Sequence, residues 1–116
     1  MYNYFNPIQD PKMVGLDSNL MTLLNSARDF ATIPFIITSG LRTDAESIAV
    51  GGFAGDPHTK GLACDILCKS DTQQYLIVNG ALKAGFKRIG LGLNHVHLDI
   101  DSSQTQNVIW IEKNAV

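Results

Sequence analysis

The chain has 116 residues, 45% apolar and 8% aromatic, with a formal net charge of −2. That length supports one domain around one modest core. Interspersed charges near neutrality give no nucleic-acid or polybasic membrane surface, and no apolar run approaches a membrane span.

The opening M-Y-N-Y-F-N-P lacks the basic region and apolar run of a signal peptide, so cytoplasmic synthesis is expected, with any export by another route. Residues 1–16, with Pro7 and Pro11, read as an extended arm wrapping the domain. Asp17 or Ser18 can cap a helix carrying Leu20, Leu23, Leu24 and Ala27 as one apolar stripe, with Asn19, Thr22, Asn25 and Arg28 off it. That helix should end near Phe30. Residues 35–39, F-I-I-T-S, predict a short buried strand. Thr43 or Asp44 can cap a short helix to about Val50, and a Gly- and Pro-containing loop over 51–57 leads to His58.

After Gly61, A-C-D-I-L predicts a strand carrying Asp65, with Cys64 turned away into the core. Cys64 and Cys68 do not have the pair spacing of a structural zinc site and are expected as reduced thiols. Ser70 or Asp71 caps a second long helix to about Ala84, with Tyr75, Val78 and Leu82 inward and Gly85 as its stop. R-I-G-L-G-L and H-V-H-L-D-I predict a β-hairpin. Its second strand puts His95, His97 and Asp99 on one face and Val96, Leu98 and Ile100 on the other. A polar loop over 101–107 precedes a last strand, V-I-W-I-E-K, with Trp110 packing under the sheet. The sum is an α+β single domain: an antiparallel or mixed sheet of about four or five strands with two main helices packed on it.

All three histidines of the chain fall in D-P-H-T-K-G-L-A-C-D (56–65) and H-V-H-L-D (95–99). His58, Asp65 and His97 make a His/Asp/His set suited to one zinc ion with a vertex left for water. On the His97 strand face, His95 is favoured as general base or transition-state donor and Asp99 as orienting carboxylate, with the reverse assignment open. Arg42, after the first strand, could bind a substrate carboxylate or stabilise a tetrahedral oxyanion. Each feature also has an ordinary structural reading, since H-x-H on a strand and a lone arginine are common without function.

T-S-G-L-R-T, V-G-G, H-T-K-G-L-A-C-D-I, G-F-K-R-I-G and H-V-H-L-D, in that order over roughly residues 17–100, resemble the zinc D-alanyl-D-alanine carboxypeptidase family. The nearest branch is its small phage-type peptidoglycan peptidases, which include L-alanyl-D-glutamate endolysins; the hedgehog signalling domain shares the metal-site framework. The resemblance implies His58, Asp65 and His97 as zinc ligands, Arg42 against substrate, and the peptidoglycan stem peptide as substrate. The expectation is a monomer made in the cytoplasm, since no signal peptide is read, that acts on the cell wall after release. Two positions depart from the family pattern. Asn94 stands where many members carry a carboxylate base, three residues before the last ligand. Asp56 stands where a serine is common. The competing readings are a zinc-binding domain without catalysis and a metal-free structural domain.

Overall fold

Two 14-residue helices lie on one face of a five-stranded sheet in the computed structural model, which describes residues 3–112. In chain order the elements are α1 (Ser18–Ala31), β1 (Ile37–Ser39), α2 (Asp44–Ala49), β2 (Ala63–Leu67), α3 (Asp71–Ala84), β3 (Arg88–Leu91), β4 (His95–Asp99) and β5 (Val108–Ile111). Short 3-10 turns occupy Pro11–Met13 and Pro57–Lys60. The strand order is β1-β2-β4-β3-β5, and every pair is antiparallel except β3 with β5. The α+β expectation, a mixed sheet with two main helices, therefore holds. No helix among the described residues is long and apolar enough to cross a membrane.

The helix ends follow their capping residues. Asp17 accepts from the amides of Asn19 and Leu20 at the start of α1, and Ser70 accepts from Gln73 at the start of α3. Thr43 and Glu46 form a reciprocal capping box on α2. Gly85, at φ 107°, closes α3 in the left-handed conformation a glycine adopts without strain.

The core lies between the helices and the sheet face carrying Cys64, Ile66, Ile89, Val96 and Leu98. Leu20, Leu24 and Ala27 of α1 pack there as the stripe predicts, and Leu23 is half-buried. Asn25 was expected off the stripe but is buried. Its Oδ1 accepts from the Tyr4 amide at 2.8 Å and its Nδ2 donates to the Met21 carbonyl at 3.1 Å, so its polarity docks the N-terminal arm. The described part of that arm is not simply extended: it turns at 7–9, forms the Pro11–Met13 turn and buries Phe5. Residues 1 and 2 lie outside the described residues.

Two further expectations are corrected. The inward face of α3 is Ile77, Gly80 and Ala81; Tyr75 and Leu82 are exposed, and Val78 is half-buried. Gly80 decides this. A Cβ there would stand 2.5 Å from the Ala27 carbonyl oxygen and 2.8 Å from Ala31, so the glycine lets α3 approach the α1 backbone. Small residues set the contact, and the larger apolar ones are left outside it. Secondly, the strand expected over 35–39 covers only Ile37–Ser39. It is an edge strand with Ile36 exposed, because only β2 pairs with it and a register shift interrupts the pairing. Trp110, expected under the sheet, packs on the face opposite the helices, against His97 and Arg88.

Candidate metal centre

That second face carries the site. Asp65 and His97 are cross-strand partners in the β2–β4 ladder, so their side chains rise side by side from the middle of the sheet. His58 arrives from the 3-10 turn. Asp56 caps the turn by accepting from the Thr59 amide, Pro57 starts it, and Gly61, at φ 70°, ends it. Asp56 is buried, and the Ser47 hydroxyl donates to it at 3.1 Å, tying the turn to α2. The residue at the unusual position is thus an anchor for the segment presenting His58.

The three side chains converge. His58 Nε2 and His97 Nδ1 are 3.2 Å apart, and each is 3.3 Å from Asp65 Oδ1. All three residues are buried. Their other polar atoms are held from behind. His58 Nδ1 is 2.9 Å from the Gly40 carbonyl oxygen, which places a proton on Nδ1 and turns Nε2 inward as an acceptor. His97 Nε2 is 2.6 Å from Asp99 Oδ2, which turns Nδ1 inward in the same way. Arg42 Nη2 donates to Asp65 Oδ2 at 3.1 Å, leaving Oδ1 aimed at the imidazoles. Oδ1 is buried and accepts no hydrogen bond. A buried carboxylate oxygen without a donor is costly unless a cation compensates it. The triad can hold a metal ion.

Electrostatics points the same way. Burial opposes ionisation of Asp65, but His58 and His97 outweigh it and hold the carboxyl well below its usual range. Burial likewise disfavours charge on His97, but Asp65 and Asp99 push its pKa up to about 9. The pocket is built for net positive charge between its carboxylates, and a cation entering it displaces a proton from His97.

Asp99 is fully buried behind His97. Its Oδ1 accepts from Arg88 Nε at 2.7 Å and from the Asp101 amide at 3.0 Å, and its Oδ2 meets His97. This is the geometry of an orienting carboxylate, with no oxygen facing the cleft. His95 sits on the cleft side of β4, with Nε2 3.5 Å from Glu112 Oε1. Arg42 lines the cleft, yet its guanidinium is already engaged with Asp65 and, through Nε at 2.9 Å, with Ser39 Oγ.

Sequence reasoning missed Glu112. It follows β5, on the same side as Trp110 two residues before it, and Trp110 Nε1 donates to its Oε2 at 2.7 Å. Its Oε1 lies 3.9 Å from His97 Nδ1. The alternation of the last strand linked Glu112 to Trp110. The available signal was the pair of glycines in R-I-G-L-G-L. A Cβ at Gly90 would press on Trp110 and on Glu112 Cδ, at 2.9 and 3.0 Å, and one at Gly92 would collide with the His95 ring.

The triad opens into a cleft of about 820 Å³ between the 50–53 loop and the end of β5. Val50, Phe53, Arg42, His95, Trp110 and Glu112 are among the residues lining it. Its mixed apolar and charged walls suit an extended polar ligand better than an enclosed apolar one.

The sequence matches the family model of peptidase M15 over residues 5–101. Among solved structures, the fold is similar to that of the Serratia marcescens L-Ala D-Glu endopeptidase ChiX, at a TM-score of 0.60 and 17% identity, covering 83% of this chain and 88% of that one. No curated protein matches the sequence.

Proposed function

The chain belongs to the peptidase M15 family, and from that premise we propose that it is a zinc-dependent peptidase hydrolysing the peptide stems of peptidoglycan. The observation that carries the proposal is the triangle of inward donor atoms, with edges of 3.2–3.3 Å. Donors about 2.0 Å from a tetrahedral zinc ion stand about 3.3 Å apart, so the spacing of His58, Asp65 and His97 would suit three ligands of such an ion, and all three line the cleft. When bound, zinc would lower the pKa of a water molecule and polarise the scissile carbonyl.

The chain's own residues divide the remaining work. Gly40, Asp99 and Arg42 fix the orientation of His58, His97 and Asp65 respectively, so no donor has to reorganise when substrate enters. Arg42, at the cleft wall, also meets a carboxylate of the stem peptide. His95 offers a nitrogen on the cleft side, where proton transfer or stabilisation of the tetrahedral oxyanion takes place. The fold's likeness to an L-Ala D-Glu endopeptidase supports endopeptidase cleavage, between L-Ala and D-Glu, ahead of release of a terminal D-Ala. Degradation of a bacterial wall, as in an endolysin of phage origin, is the setting proposed.

Digestion of intact sacculi and of purified muropeptides, with one equivalent of zinc and with a chelator, tests this. Mass spectrometry should show new L-Ala carboxyl and D-Glu amino termini only with metal. One bound zinc with no cut in any stem peptide would instead make the chain a non-catalytic zinc-binding domain.

A further inference from the structure

Hydrolysis needs a group that takes a proton from the attacking water and later supplies one to the leaving amine. Among the described residues, the titratable side chains lining the cleft are Arg42, Asp56, His58, Asp65, Arg88, His95, His97 and Glu112. Geometry removes most of them. Arginines do not give up a proton. Asp56 is engaged by Ser47 and Thr59, and the His58–Asp65–His97 triad holds the metal in the proposed reading. Among the described residues two candidates remain, His95 and Glu112.

We infer that Glu112 is the catalytic carboxylate of this site, which makes the end of β5 part of the active centre. This rests on the peptidase reading above. Trp110 Nε1 holds Oε2 and fixes the carboxylate, leaving Oε1 directed at the site, 3.5 Å from His95 Nε2 and 3.9 Å from His97 Nδ1. The side chain is 27% exposed, so water reaches it, whereas Asp99 is sealed at 0%. Gly90 provides the space that lets Trp110 and Glu112 lie over the sheet beside His97. His95 points its Nε2 at the same oxygen, which makes it the donor that steadies Glu112 and the oxyanion. In the step assigned, a water O–H bond breaks and its proton goes to Glu112 Oε1 as the oxygen bonds to the peptide carbon. The C–N bond then breaks as that proton passes to the leaving nitrogen. Peptide and water become acid and amine, and Glu112 is regenerated.

The test compares the full chain with Glu112→Gln, which keeps the shape and an acceptor for Trp110. Three quantities are read: stem-peptide cleavage, zinc stoichiometry and affinity by chelator competition, and affinity for a stem peptide. Cleavage should fall by about 10²–10⁴, with one zinc still bound and both affinities within about threefold of the parent, on the scale where tenfold is about 1.4 kcal/mol. A variant cleaving as fast as the parent overturns the inference and leaves the peptidase reading standing. So does a parent that binds two ions where the variant binds one, because Asp65, His95 and Glu112 would then be ligands of a second metal. A parent that cuts no stem peptide overturns the peptidase reading, and this assignment with it. If circular dichroism shows Glu112→Gln unfolded, Glu112→Ala decides: it removes the carboxylate outright, and cleavage as fast as the parent's overturns the inference.

Discussion

Asp99→Asn separates an orienting carboxylate from a proton carrier. Three donors converge on Asp99: His97 Nε2, Arg88 Nε and the Asp101 amide. An asparagine offers one carbonyl oxygen and turns an NH₂ toward the rest, so His97 or Arg88 loses its acceptor. Loss of such an outer partner weakens metal binding about 10–100-fold, or about 1.4–2.7 kcal/mol. A second effect opposes this at neutral pH. The metal must displace a proton from a His97 whose pKa stands at about 9, which weakens binding by about a hundredfold at pH 7. Removing the Asp99 charge lowers that pKa and eases the competition. The variant should therefore bind zinc about 10–100-fold more weakly at pH 9.5 and show a smaller deficit at pH 7, by competition with a chromophoric chelator. Once saturated with metal, it should turn over within a few-fold of the parent. Arg88 is left facing a neutral amide, and breaking a buried pair from one side costs about 3–5 kcal/mol. The Arg88→Gln, Asp99→Asn double variant removes the stranded charge and isolates the effect on the ligand. Unchanged zinc affinity at both pH values, with turnover down by about 10²–10⁴, would refute the reasoning and make Asp99 the proton carrier.

Stability of the chelator-stripped protein should depend on pH through His97. Its folded pKa of about 9 lies above the ordinary value of 6.5, so its contribution is full below pH 6.5 and is lost as pH rises through 9. His95, raised by the Glu112 carboxylate, adds in the same direction. Urea unfolding at pH 6 and pH 9.5 should show a loss of up to about 3 kcal/mol, and zinc should abolish the dependence; equal or greater stability at pH 9.5 without metal would contradict it. Gly80→Ala should destabilise by about 1–3 kcal/mol, although alanine is the better helix former by about 1 kcal/mol, because the new methyl meets backbone of α1. A rise in melting temperature would show that α1 and α3 separate without cost.

The elements of this fold are written locally. Asp17, Thr43 and Ser70 cap helices where their neighbours' spacing starts, and alternation in H-V-H-L-D puts His97 and Asp99 on one face whatever the strand pairs with. Three histidines confined to two motifs were enough to nominate His58, Asp65 and His97, and the structure brings those three together. What each strand lies beside is a different kind of information. Backbone pairing put β2 against β4 with Asp65 opposite His97, and parallel pairing put β5 beside β3. No local pattern encodes either register. The placement of β5 decided that Trp110 lies on the cleft face and that Glu112 reaches the side of His97. Close packing decided that α3 presents Gly80 where its apolar spacing favoured Tyr75 and Leu82. Periodicity along a chain fixes which residues share a side; which side is buried, and what stands across from it, follows only from contacts between segments distant in sequence.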